Sequence, residues 1–314
     1  MRVVYMGTPD FAVGTLEAIL AAGHEVAGVV TQQDKPVGRK QELKPTAVKA
    51  CAFAHNLPVY QPAKVRNNPE FFETLKELAP EVIVVAAYGQ IIPKEVLELP
   101  KYGCLNVHAS LLPKYRGAAP IQWAVIDGEE KSGVTIMQMN EGLDTGDMIA
   151  KTELTLDAEE TGGSLFDRLA EAGAKLLVET LVKVEQGDIH PEPQPAESTT
   201  PYARMITKND GRIDWNSSAV AIERLVRGLN PWPSAFTSLN GKGLKIWKSQ
   251  VVTENAGQEK APGCVLAAGA EGLDVQTGDG VLRITELQLE GKKRMAAGDF
   301  LRGHGIPAGT VLGA

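Results

Sequence analysis

Hydrophobic and polar positions along this chain repeat with two different periods, and the switches between them mark its elements. Arg2 to Met6 is a short apolar run and Gly7–Thr8–Pro9–Asp10 a turn; Phe11 to Ala22 has apolar residues at 11, 12, 16, 19 and 20, one face of a helix. Gly23 stops that helix, and the β-branched stretch Val26 to Val30 follows. Beyond it the pattern predicts helices over 46–55, 68–78, 93–99, 118–126 and 165–186, with Gly162 and Gly163 just before the last. Strands are predicted at 59–60, 82–87, 134–139 and 148–156, and one more ends at Asn106–His108. Val82 to Ala87 is apolar throughout, which fits a central parallel strand buried on both faces. Residues 31–45 read as a loop, long for a connection in a compact sheet. Strand and helix alternating in this way predict a Rossmann-like α/β domain, an open, mostly parallel sheet with flanking helices.

The texture changes at Asp188. Residues 188–201 hold four prolines and no apolar period, and so read as an extended linker. After it come a helix over 219–227 and short strands near 235–239, 244–252, 263–267, 272–276 and 281–289, with turn glycines at 241, 243, 278 and 280. That spacing predicts a small β-barrel, OB-like in type. The expected division is a first domain over 1–187, a linker over 188–205 and the barrel over 206–314.

Composition adds little until charge is mapped. The chain has 314 residues, 43% hydrophobic and 23% charged, an ordinary globular balance with room for two cores. Three cysteines without a C-x-x-C pair argue against a disulfide framework and for a reducing compartment. The N-terminus is too short in apolar residues for a signal peptide or a membrane span, so a cytoplasmic protein without membrane attachment is expected. The net charge of −7 does not advertise nucleic-acid binding. It is uneven, however: residues 1–204 carry 19 Lys+Arg against 28 Asp+Glu, and residues 205–314 carry 13 against 11. Lys35, Arg39, Lys40 and Lys44 sit in the loop over 31–45, on the rim where an open sheet binds ligands. Lys242, Lys245, Lys248, Lys292, Lys293 and Arg294 lie in or beside the predicted barrel. Each group reads either as solvated surface or as contacts to a polyanion.

The candidate chemistry lies in Gly103–Gln122, GCLNVHASLLPKYRGAAPIQ. Asn106 and His108 are two apart, so in a strand their side chains share a face, with Leu105 and Val107 turned the other way. Pro113 ends the element, and a new helix starts near Pro120. Asp144 follows in MNEGLDTGD, between Gly142 and Gly146, in a tight loop joining two extended runs. A buried, hydrogen-bonded histidine and an ordinary turn aspartate are the competing readings. What favours chemistry is the combination of amide donor, proton carrier and carboxylate, with no Ser- or Cys-centred nucleophile to compete. Gly7 stands alone rather than in G-x-G-x-x-G, which argues against a dinucleotide site. His24, His55, His190 and His304 lack ligand-spaced partners in sequence, so no metal is expected. The tryptophans at 123, 215, 232 and 247 read as packing residues.

Taken together, MGTPDFA, VVAAYGQIIP, NVHASLLPKYRGAAPIQ and GLDTGDM resemble the methionyl-tRNA formyltransferase family. The resemblance runs essentially end to end and includes DKPVGRKQELKP, RIDWNSSA and NPWPSAFT. Asn-x-His, the S-L-L-P loop and the later Asp are features of the wider class that uses 10-formyltetrahydrofolate; the basic loop and the carboxyl-terminal barrel single out the branch acting on tRNA. The resemblance implies transfer of a formyl group from 10-formyltetrahydrofolate to the α-amine of methionine on initiator tRNA, for translation initiation. It implies Asn106, His108 and Asp144 as the catalytic trio, and Ser110, Leu111, Leu112 and Pro113 as the folate-binding loop. It also implies Tyr88, Gly89, Gln90, Ile91 and Ile92 as lining of the pteridine pocket, and Arg39 as the sensor of the unpaired first base pair in the acceptor stem. No sequence feature demands a second copy, so a monomer is expected. A formyltransferase acting on a small amine (glycinamide ribonucleotide or an amino sugar), a formyltetrahydrofolate hydrolase, a non-catalytic RNA-binding protein and a nicotinamide-dependent oxidoreductase are the alternatives.

Overall fold

A computed structural model describes residues 1–37, 42–253 and 260–313. The chain separates into two compact units. One comprises Met1–Pro120, Lys131–Thr155 and Phe166–Ala203; the other comprises Ile121–Glu130, Leu156–Leu165 and Arg204–Ala314.

The first unit is built on strands β1 (Arg2–Gly7), β2 (Glu25–Val30), β5 (Val59–Tyr60), β6 (Val82–Ala86), β7 (Cys104–His108), β8 (Lys131–Gln138) and β9 (Met148–Thr155), in the order β5-β2-β1-β6-β7-β8-β9. The ladders from β5 to β7 are parallel, and β7–β8 and β8–β9 are antiparallel. The central strand β6 is buried at all five positions, as its unbroken apolar run requires. Helices α1 (Val13–Ala21), α2 (Ala47–Ala54), α3 (Pro69–Leu78) and α4 (Lys94–Leu97) follow the predicted order. Their limits come from local chemistry. Thr46 Oγ1 accepts the Lys49 amide to start α2, and Asn68 Oδ1 accepts the Phe71 amide with Pro69 in the first turn of α3. Ala79, left-handed at φ +45°, and Pro80 close α3.

Three expectations are corrected. The stretch over 31–45 is not irregular throughout: β3 (Lys35–Val37) and β4 (Glu42–Lys44) form an antiparallel pair in which Lys35 faces Lys44. Gly38–Gln41 between them are outside the described residues, and so are Arg39 and Lys40. The long helix α6 (Gly162–Gln186) begins at its glycines rather than after them, α5 (Pro120–Asp127) being the helix before it. A Cβ on Gly162 would lie 2.3 Å from the Gly228 carbonyl oxygen, so the helix tolerates poor formers there to allow close backbone approach. Finally, residues 192–203 are docked onto the first unit instead of spanning a gap, with backbone bonds from Glu192 to Met148 and from Ala203 to Arg116 at the two ends.

The second unit carries an antiparallel sheet of β10 (Ala235–Leu239), β11 (Lys242–Thr253), β12 (Val265–Gly269), β13 (Gly272–Gln276) and β14 (Val281–Leu289), ordered β10-β11-β14-β13-β12, with β15 (Met295–Ala296) added to β14. Helices α7 (Ala219–Gly228) and α8 (Ala297–Gly303) pack on it through Ile222, Val226 and Phe300 against Leu244, Ile246, Leu282 and Ile284. Trp215 belongs to this core, its indole donating to Thr237 Oγ1 at 3.1 Å. The other tryptophans depart from a purely packing role. Trp232 is 54% exposed, the Arg204 guanidinium lies over Trp123, and Trp247 carries Lys245 and Arg294 over its ring at 5.6 and 4.6 Å. The alternation along β11 puts the odd-numbered Lys245 and Trp247 on one side of that strand, where cation–π contact satisfies both.

The β8–β9 connection is pinned at its neck by the Gln138 amide donating to the Asp147 carbonyl at 2.8 Å. A Cβ on Gly146 would come within 1.7 Å of the Gln138 carbonyl oxygen. Gly146→Ala therefore has to push the neck apart, at a cost of about 1–3 kcal/mol. The expected result is a Tm lower by about 5 °C; an unchanged Tm would show that the neck is not close-packed.

Candidate active site

Strand β7 ends the parallel part of the sheet, and its last residues are held between β6 and β8. In its antiparallel ladder Asn106 faces Met137 and His108 faces Thr135, so these four side chains share one side of the sheet. Asn106 is 9% exposed and His108 5%. Thr135, fully buried, fixes the loop that follows: its hydroxyl donates to the Ser110 carbonyl at 2.7 Å and accepts the Leu112 amide at 3.1 Å. Ser110 Oγ closes the same loop by donating to the Lys114 carbonyl at 2.6 Å. Leu112 is buried and joined to Pro113 by a cis peptide; Leu111 and Pro113 are half-buried.

This loop returns to the strand end. The Tyr115 carbonyl lies 3.0 Å from His108 Nε2. A carbonyl can only accept, so Nε2 carries the hydrogen and donates, leaving Nδ1 as the nitrogen that can gain or lose a proton. Nδ1 faces Asp144 Oδ1 at 3.7 Å, beyond direct hydrogen-bond reach but inside ion-pair distance. Asp144 Oδ1 also lies 3.5 Å from Asn106 Nδ2, and Oδ2 accepts the Gly117 amide at 2.9 Å. Asp144 is itself left-handed, at φ +53°, a conformation that Asp adopts more readily than most residues. Asn140 shapes its turn, accepting the Gly142 amide at 2.9 Å and the Thr145 hydroxyl at 3.0 Å. The structure thus brings the three candidate residues together at one end of the sheet, with the Asp144 carboxylate partly exposed.

The second candidate segment is partly built into the core. Tyr88 and Ile92 are buried in the core beside β1 and β6, and burial pushes the Tyr88 phenol up to about 12. Gln90 accepts the Val65 amide at 2.9 Å, while Gly89 and Ile91 are exposed. Of the cationic candidates, Lys35, Lys44, Lys242, Lys245, Lys248, Lys292, Lys293 and Arg294 are all exposed. Three of them are engaged: Lys245 lies over the Trp247 ring, Lys248 lies 3.2 Å from Glu159, and Arg294 forks onto Glu286, holding that carboxyl below its usual range. Cys104, beneath the site, is a packed thiol pushed up to about 12 by burial and is no nucleophile.

Several contributors have no sequence signature. Gly117 and Tyr115 act through their backbones, and Thr135 is visible only once β8 is paired with β7. Gln194 donates to the Asp144 and Gly146 carbonyls and accepts from Arg116, although it lies in the proline-rich stretch that reads as a spacer. His55 has neighbours in space that sequence spacing does not show. Glu17, Cys51 and His55 have their potential ligand atoms within 4.8 Å of one another. Cys51 and His55 are one turn apart on α2, but Glu17 comes from α1, which sequence spacing alone does not reveal.

Known proteins match this chain along its length. The formyl transferase family model matches residues 1–181, and the formyl transferase C-terminal domain model matches residues 205–305. The methionyl-tRNA formyltransferase of Agathobacter rectalis is 55% identical over 312 residues, covering 99% of each chain. That of Caldanaerobacter subterraneus subsp. tengcongensis is 52% identical, covering 99% of this chain and 100% of its own. Among solved structures, the sugar 3N-formyl transferase WlaRD, with dTDP and 5-N-formyl-THF, has a TM-score of 0.67 at 20% identity over 93% of this chain and 99% of that one. HypX from Aquifex aeolicus in complex with tetrahydrofolic acid has a TM-score of 0.60 at 20% identity; this chain spans about half of its length, 47%, with 96% of this chain covered. The structural likenesses show the fold, and the sequence matches show the family: this chain belongs to the methionyl-tRNA formyltransferase family of formyl transferases.

Proposed function

We infer that this chain transfers a formyl group from 10-formyltetrahydrofolate to the α-amine of methionine esterified to initiator tRNA, giving formylmethionyl-tRNA and tetrahydrofolate. The observation that carries this reading is the convergence of Asn106, His108 and Asp144 in a chain so similar to methionyl-tRNA formyltransferases over its whole length. The reaction exchanges one amide bond for another, so it needs a donor for a developing oxyanion and a carrier for one proton. Asn106 supplies the donor: its amide makes a long contact to Asp144 and can turn a hydrogen toward the formyl oxygen. His108 Nδ1 supplies the proton carrier, taking the proton that the attacking amine loses and passing it, directly or by a water, to the departing folate nitrogen. Asp144 offsets the positive charge on the ring while it holds that proton. No covalent enzyme intermediate is required. The loop closed by Ser110 and Thr135, with Leu111, Leu112 and Pro113, would hold the folate against these groups.

The macromolecular acceptor accounts for the charge distribution. An acidic bulk disfavours indiscriminate RNA binding, and the exposed cations of the β3–β4 ribbon and of the second unit would make local phosphate contacts. A formyltransferase acting on a small amine would need neither.

Three results test this reading. With 10-formyltetrahydrofolate, Met-charged initiator tRNA should yield far more formylmethionine than Met-charged elongator tRNA. Equal yields would remove the proposed role of Arg39 and its loop; release of tetrahydrofolate without formylmethionine would identify a hydrolase. Asn106→Ala should lower kcat by about 100- to 1000-fold while leaving donor binding intact; a loss confined to KM would assign Asn106 to binding only. Neutralising Lys292, Lys293 and Arg294 together should weaken tRNA binding and flatten its salt dependence, by about one in slope for each phosphate no longer neutralised. An unchanged slope would remove these residues from the tRNA surface.

A further inference from the structure

Residues 192–203 touch both halves of the candidate site. Glu192 and Met148 exchange two backbone hydrogen bonds of 2.8 Å at the start of β9. Gln194 Nε2 donates to the Asp144 carbonyl at 2.9 Å and the Gly146 carbonyl at 2.7 Å, and its Oε1 accepts Arg116 Nε at 3.0 Å. The other ends of the Arg116 guanidinium donate to the Ala196 and Pro195 carbonyls at 3.1 and 2.7 Å. Ser198 Oγ donates to the Pro113 carbonyl at 2.6 Å, and Thr200 Oγ1 accepts the Tyr115 amide at 2.7 Å. Ala203 completes the run, donating to the Arg116 carbonyl at 2.8 Å and accepting the Ala119 amide at 3.0 Å.

Two physical points give this arrangement direction. Arg116 is 7% exposed, and the oxygens that these bonds bring to its guanidinium all come from residues 194–196. Undocking that stretch would leave a buried cation with its donors unpaired, a state that is strongly penalised. Asp144 is left-handed, and the carbonyls on either side of Thr145 are both taken by one carboxamide. That carboxamide has two donors and one acceptor in a plane, so a single orientation, set by Arg116, satisfies all three bonds.

We propose that residues 192–203 form a clamp on the active site and that Gln194 is a positioning residue. It fixes the backbone of Asp144 so that the carboxylate reaches Gly117, Asn106 and His108 together. The reaction that Gln194 serves rests on the formyl-transfer reading; the clamp itself rests on the bonds alone. Prolines 191, 193 and 195 suit it, because they hold the backbone extended without helix or sheet and leave the polar side chains between them free to bond outward.

The test is Gln194→Glu, which keeps an acceptor and a strong partner for Arg116 but has no hydrogens for the two carbonyls. The expected result is a kcat about 10- to 100-fold lower, the range in which small misplacements of reacting groups fall. KM for both substrates should stay within about threefold, because the clamp serves geometry rather than binding. In an Asp144→Ala background the same change should cost nothing further, since Gln194 acts through Asp144. Unchanged kcat, or an equal loss with and without Asp144, would overturn the positioning role. Amide hydrogen exchange of the free protein gives a reading independent of activity. Gln194→Glu and Gln194→Ala should speed exchange across 140–147 by about tenfold or more and leave β7 protected; unchanged exchange there would overturn the clamp. Were the wild type unable to formylate Met-tRNA, the formyl-transfer reading and with it the positioning role would fall, and the exchange result would decide the clamp alone.

Discussion

The Asp144 carboxylate has to meet a backbone amide, a carboxamide and an imidazole at once, and much of the site is arranged to let it. Its two oxygens face Gly117 on one side and Asn106 and His108 on the other. A carboxylate set among fixed donors needs no reorganisation when charge moves nearby, which is where electrostatic catalysis gains most. The left-handed Asp144 backbone is tolerated because Asn140 braces the turn from one side and Gln194 from the other. His108 is fixed as firmly. The Tyr115 carbonyl determines which ring nitrogen holds its hydrogen, and so which one is left to move a proton.

Sheet topology explains why these groups meet. Asn106 and His108 lie at the carboxyl end of a parallel strand, and the antiparallel return through β8 brings Thr135 beside His108 and the Asp144 turn back over the same edge. One hydroxyl, that of Thr135, locks the loop carrying Ser110 and Leu112. The two loops thus share a single rigid base, and a change in either is felt by the other.

Most of the architecture was legible in the sequence because it rests on local rules. Apolar period, caps at Thr46 and Asn68, and the buried run of β6 specify the α/β order, and the turn glycines specify the antiparallel module. The three candidate residues that the structure brings together could be singled out because Asn-x-His and Asp between glycines are compact patterns. What sequence reading missed has a common cause: the information lies in pairing between distant segments. Gln194 sits among prolines with no periodicity, and its partners are about fifty and eighty residues away. Glu17 and His55 meet only because two helices do. The ends of the loop over 31–45 form a ribbon because they pair with each other, a possibility that its charged composition hid.

In the proposed mechanism the charge of Asp144, and not only its shape, drives proton movement at His108. Asp144→Asn tests it most directly, since the carboxamide oxygen can still accept the Gly117 amide while the charge is gone. Single-turnover formylation of Met-charged initiator tRNA should slow by about 100-fold or more, with the Kd for the formyl donor within about threefold of wild type. A single-turnover rate within a few-fold of wild type would rule out that role and leave Asp144 as a turn residue that happens to lie beside the chemistry.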